Sequence, residues 1–107
     1  MKYRPLGRTG LPVSELGLGG AGIGQVWGAT TEAECIRLVR RAVELGINFF
    51  DTSPMYGRGK SEEILGRGLD GLRDRVYIAT KVRLQTADEL VDMARTSCLN
   101  VWAHPPS

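Results

Sequence analysis

Helix-start signals alternate along this chain with short apolar runs, and that alternation constrains the fold most. Thr31 and Glu34 make a capping box before Cys35, Leu38, Ala42 and Leu45, which recur at helical spacing with Ile36, Val39 and Val43 beside them. Gly46 ends that helix in the left-handed conformation. Ile47 to Phe50 then reads as a buried parallel strand. Ser61 is the expected cap of a second helix, with Glu62 and Glu63 in its first turn and Ile64, Leu65, Leu69 and Leu72 on its apolar face. Arg75 to Thr80 reads as another strand. Thr86 and Glu89 form a second capping box, opening a helix with Ala87, Leu90, Val91, Ala94 and Cys98 on one face. Strands and helices in strict alternation, joined by short loops, predict parallel βαβ units.

Ahead of these units, Lys2 to Leu6 and Leu11 to Leu16 read as a β-hairpin closed by Gly7-Arg8-Thr9-Gly10. Behind them, Leu99 to Trp102 reads as a further strand, and Pro105-Pro106 stops regular structure.

Composition excludes several partners. A net charge of +2, with the basic residues spread along the chain, argues against nucleic acid. No apolar run approaches the ~18–20 residues that span a bilayer, so no membrane partner is expected. The start, Met1 to Pro5, lacks the apolar core of a signal peptide. Cys35 and Cys98 match no metal spacing and read as free thiols in apolar positions. A cytoplasmic protein without a metal is the expectation.

Two architectures accommodate βαβ units. Gly17, Gly19 and Gly22 fit the dinucleotide fingerprint G-x-G-x-x-G. That motif works only where a helix opens on the loop and presents its N-terminus to the pyrophosphate. Here the helix begins about nine residues later, at Thr31, and Asp51 lies roughly 30 positions on instead of about 20. A barrel explains more, because polar residues at the C-terminal ends of its strands converge on one mouth. Asp51 ends one strand, Lys81 follows the next, and Tyr56 lies in the loop between them.

At these residues the chain resembles the aldo-keto reductases. Asn48-Phe49-Phe50-Asp51-Thr52-Ser53-Pro54-Met55-Tyr56-Gly57 resembles that family's first signature. Ser61-Glu62-Glu63-Ile64-Leu65-Gly66 and Ile78-Ala79-Thr80-Lys81 continue it. Tyr3 to Gly10 and Leu16 to Gly19 look like the family's capping hairpin and first strand. The resemblance runs from about residue 3 to residue 83.

It implies an α/β fold, the N-terminal part of a (β/α)8 TIM barrel preceded by a β-hairpin, and NADP(H)-dependent oxidation or reduction of small aldehydes, ketones or sugars. In those roles Tyr56 is the general acid–base, Lys81 lowers its pKa, and Asp51 pairs with Lys81. Gly19, Gly20 and Asp51 lie where family members approach the nicotinamide, although a tight glycine-rich turn explains Gly20 equally well. The chemistry is coherent, since a free phenol titrates near ~10 and a neighbouring ammonium favours the phenolate.

The expected organisation is a capping hairpin over 1–16, the first βα units over 17–98, and a divergent tail over 99–107. A full barrel takes ~250 residues, and this chain has 107. In the family the adenosine phosphates are held after strands seven and eight, so the main binding loops lie outside these residues. The family's histidine follows strand four. His104, the chain's one histidine, stands only 23 residues beyond Lys81, as a displaced equivalent or as part of a foreign tail. The alternative to an enzyme is an inactive fragment or a binding and regulatory module of the same fold. The oligomeric state is left open, a half-barrel dimer included.

Overall fold

The computed structural model describes residues 1–25, 28–82 and 86–101. Strands β1 (Tyr3–Pro5) and β2 (Pro12–Ser14) pair antiparallel, Tyr3 opposite Ser14, through a 3₁₀ turn at Gly7–Thr9. This is the expected hairpin. β3 (Leu18–Gly19), β4 (Phe49–Asp51) and β5 (Tyr77–Ala79) form a parallel sheet in that order. Leu18, Phe50 and Ile78 share one row, and Gly19, Asp51 and Ala79 the next. Strand residues alternate faces, so Phe50 turns into the core at 1% exposure while Asp51 turns to the other side.

Helices α1 (Glu32–Glu44), α2 (Lys60–Gly68) and α3 (Ala87–Val101) follow β3, β4 and β5. Thr31 is extended, and its hydroxyl accepts from the Glu34 amide at 3.2 Å, as the capping box requires. Thr86 and Glu89 close the other box reciprocally, at 3.4 and 3.3 Å. The core gathers Val39, Phe50, Ile64, Leu65 and Leu69, each at 1% exposure or less. Burying side chains of this size stabilises by about 1.5–3 kcal/mol each. Gly68 lets α1 and α2 close up, since a Cβ there would stand 2.9 Å from that of Val39.

Several expectations are corrected. On α1, Cys35, Val39 and Ala42 are buried, whereas Leu38 and Leu45 are exposed. The buried arc of α1 packs against α2, with Val39 over Gly68, and is narrower than the apolar stripe. Ser61 is not the cap of α2. Gly59, left-handed at φ 90°, occupies that position, and the Ser61 hydroxyl is taken up by strand ends. Most of the expected face of α3 looks outward, with Val91, Ala94 and Cys98 exposed and Leu90 half-buried. α3 turns Ser97 and Val101 inward instead, against α2. Leu99 to Val101 form the end of α3 and not a strand. Gly66 makes room for that end, because a Cβ there would overlap the Asn100 carbonyl oxygen. His104 and the rest of the tail lie outside the described residues. Among the described residues no helix is long and apolar enough to cross a membrane.

Asn48 joins the hairpin to the sheet. Its side chain accepts from the Ser14 amide at 2.7 Å and donates to the Pro12 carbonyl at 2.9 Å. Its carbonyl accepts from the Tyr77 amide at 2.7 Å. We expect Asn48→Ala to lower the unfolding free energy by about 1–3 kcal/mol, since it leaves the part-buried Ser14 amide without its acceptor and frees the exposed Pro12 carbonyl. Urea unfolding checks this, and an unchanged midpoint would show that water replaces the amide.

Candidate active site

The parallel strands bring Asp51, Thr52, Thr80 and Lys81 to one end of the sheet. β4 ends at Asp51. The Thr52 amide then bonds the Ala79 carbonyl at 2.8 Å, and the Gly20 amide bonds the Asp51 carbonyl at 2.7 Å, which locks the three strand ends together. Lys81, two residues beyond β5, reaches back across this junction. Its Nζ donates to Asp51 Oδ1 at 2.8 Å and to the Thr52 carbonyl at 2.7 Å. It also lies 5.2 Å from the centre of the Tyr56 ring. The three residues singled out from the sequence thus meet at one place.

Tyr56 is held by its backbone. Its amide donates to the Ser53 carbonyl at 3.2 Å, and its carbonyl accepts from the Ser61 amide at 3.2 Å. Gly24 packs against it so closely that a Cβ would come within 2.9 Å of the Tyr56 carbonyl carbon and oxygen. The ring is half-buried, while the side chains of Asp51 and Lys81 are 51% and 49% exposed.

The hydrogen bond that Lys81 donates to Asp51 raises the ammonium above its ordinary titration range. Partial burial opposes the rise without cancelling it, and the charge of Asp51 and the neighbouring Tyr56 add to it. Lys81 is therefore firmly cationic at neutral pH. An ammonium has three donors. Asp51 and Thr52 take two, which leaves one for the phenol.

Gly19 and Gly20 occupy different settings. Gly19 is exposed in the row of Asp51, and a Cβ added to it meets nothing within 4 Å. Gly20 is buried, and a Cβ there would stand 2.6 Å from Ser61 Oγ and 3.0 Å from Thr52 Oγ1. Its lack of a side chain serves this close packing. Sequence reasoning passed over Thr52, Ser61, Glu62 and Thr80 as contributors. Small polar residues at strand ends and helix starts carry no local sign that separates a cap from a tertiary contact.

Residues 15–101 match the model of the aldo/keto reductase family. L-galactose dehydrogenase of Arabidopsis thaliana is 48% identical over 84 residues, which are 76% of this chain and 26% of that protein. An aldo-keto reductase of Bacillus subtilis is 44% identical over 87 residues, 78% of this chain and 26% of that one. The chain thus spans about a quarter of the length of these curated relatives. Among solved structures, an aldo-keto reductase of Bacillus halodurans in its holo form superimposes with a TM-score of 0.77 at 32% identity, covering 96% of this chain and 37% of that one. An aldo-keto reductase of Klebsiella pneumoniae in complex with NADPH gives 0.81 at 26% identity, over 94% of this chain and 35% of its own. With the hairpin, the parallel sheet and the Asp51–Lys81–Tyr56 cluster in place, the chain belongs to the aldo/keto reductase family, and its fold is the N-terminal part of that family's (β/α)8 barrel.

Proposed function

We propose that these residues supply the proton-transfer side of an NADP(H)-dependent oxidoreductase acting on small aldehydes, ketones or sugars in the cytoplasm. The observation that carries the reading is the double anchoring of Lys81 on Asp51 and Thr52 beside the Tyr56 ring. NADPH, when bound, supplies the hydride. The open space over Gly19, in register with Asp51, fits a flat ring lying at the strand ends. Tyr56 Oη donates its proton to the carbonyl oxygen as hydride arrives at the carbonyl carbon, and an alcohol results. The Lys81 ammonium stabilises the negative charge left on the phenolic oxygen. Asp51 and the Thr52 carbonyl keep that ammonium from turning to solvent. In the reverse direction the same phenolate takes the alcohol's proton. The relative named for L-galactose and the Klebsiella complex with NADPH support the substrate class and the cofactor. The unpaired thiols of Cys35 and Cys98 support a reducing compartment.

A chimera tests this reading. Residues 1–101 of this chain are followed by the remaining barrel of the Bacillus subtilis relative, and NADPH oxidation is followed with a small aldehyde. Turnover is expected. A chimera that binds NADPH yet reduces no aldehyde overturns the proposal.

The 107-residue chain by itself is expected to be inert. Its Asp51–Lys81 pair is half open to water, and an open site weakens each charge interaction. Titration with NADPH should give no saturable quenching of the two tryptophans, Trp27 and Trp102. Saturable micromolar binding would show that this part of the barrel holds the cofactor unaided.

A further inference from the structure

Ser61 and Glu62, adjacent at the start of α2, together grip all three strand ends. Ser61 Oγ donates to the Gly20 carbonyl beyond β3 and shares a hydrogen bond with Thr52 Oγ1 beyond β4, both at 2.7 Å. Glu62 reaches the third end. Its Oε1 accepts from Thr80 Oγ1 at 2.6 Å, and its Oε2 from Asn100 Nδ2 of α3 at 3.3 Å. The Glu62 side chain is fully buried, at 0% exposure, and both of these partners are neutral.

A buried carboxylate held by neutral donors is expensive to desolvate, and an apolar side chain of similar volume commonly serves stability better. Packing α2 against the sheet therefore gives no reason for a glutamate here. The reason lies in what it holds. Thr80 immediately precedes Lys81, and Lys81 must reach Asp51 Oδ1 and the Thr52 carbonyl at once, at 2.8 and 2.7 Å. A short bond from a buried carboxylate to the Thr80 hydroxyl sets the height and rotation of the strand end from which Lys81 departs. We propose that Glu62 is a positioning residue for Lys81, acting through Thr80 and tied to α3 through Asn100. This rests on the reading of Lys81 as the partner of Tyr56. Placement at this precision matters, because a misplacement of about 1 Å lowers turnover on the order of 10²-fold.

The test follows the Lys81 ammonium by NMR titration in the 107-residue chain, beside thermal unfolding. Thr80→Val removes the hydroxyl at nearly constant volume. The Lys81 signal is then expected to titrate lower, toward the ordinary lysine range, because the ammonium loosens from Asp51. Thr80→Ser, which restores the hydroxyl, returns it to the wild-type position. A folded Thr80→Val chain that melts earlier but leaves Lys81 unmoved overturns the proposal, since Glu62 would then serve stability alone. Should Thr80→Val fail to fold, Glu62→Asp is read in its place. One methylene shorter, it cannot span Thr80 and Asn100 together, and an unmoved Lys81 there is equally fatal. This readout needs no turnover, so it fails or succeeds independently of the aldehyde assay in the chimera.

Discussion

Gly57→Ala lowers the unfolding free energy by about 2–5 kcal/mol, the largest stability loss expected of any single methyl group in the site. Gly57 is left-handed at φ 63°, which disfavours an L side chain by roughly 1–2 kcal/mol. A Cβ there would also overlap the Gly24 carbonyl oxygen and come within 3.0 Å of Lys60 Cβ. Forcing a methyl into such a contact adds about 1–3 kcal/mol. The neighbour cannot simply withdraw, because Gly24 is itself pressed against the Tyr56 backbone. Gly10→Ala separates the two effects. Gly10 is left-handed too, at φ 74°, but nothing lies within 4 Å of its Cβ position. It should lose only the conformational part. Urea midpoints of the two variants decide, and a Gly57→Ala midpoint no lower than that of Gly10→Ala would mean the Gly24 approach is absent in solution. The strain is expected to reach Tyr56 as well, since Gly24 lies against its backbone.

What was legible in the sequence is what short-range chemistry decides. Thr31 with Glu34, and Thr86 with Glu89, announce helix starts because the threonine hydroxyl accepts from the amide three residues on, and at Thr86 the Glu89 carboxylate returns the bond. Phe50 and Ile78 announce strands by apolar runs between turn residues, although only Phe50 is fully buried and β5 is half-buried throughout. The meeting of Asp51, Tyr56 and Lys81 was legible through the order of strand ends, which the barrel topology converts into proximity. What was not legible depends on partners distant in the chain. Ser61 has the composition and position of a cap, yet its hydroxyl is claimed by Gly20, 41 residues away. Glu62 looks like a first-turn acid favoured by the helix dipole, and only the fold shows it enclosed by Thr80 and Asn100. The stripe through Leu90, Val91, Ala94 and Cys98 satisfies helical periodicity, but periodicity does not say which face meets a neighbour. α3 presents Asn100 and Val101 to α2 because Gly66 and Glu62 make a place for them. Asn48 was read as one letter of a signature, while its side chain in fact secures the hairpin.

Tyr56→Phe in the chimera is expected to reduce turnover of a small aldehyde by about 10²–10⁴-fold, the range associated with loss of a positioned general acid. The substitution removes one hydroxyl and little else. Gly24 packs on the Tyr56 main chain, and the loop is set by main-chain bonds to Ser53 and Ser61, so the aromatic side chain is expected to keep its place. NADPH affinity should be unchanged, which separates lost proton transfer from lost binding. Lys81→Met tests the other half of the mechanism. It takes away the charge that stabilises the phenolate, and it leaves the Asp51 carboxylate beside Tyr56 without its ammonium partner. Turnover should again fall steeply. The decisive variant is the double one. If Lys81 acts by way of Tyr56, the two form a unit, and Tyr56→Phe with Lys81→Met together should lose little more than Tyr56→Phe alone. Losses that multiply would show that Lys81 serves the reaction by a separate route, for example by contacting the carbonyl directly. The pairing of Lys81 with Asp51 and the Thr52 carbonyl argues for the unit, because an ammonium anchored twice has a single remaining donor, and the Tyr56 ring is beside it.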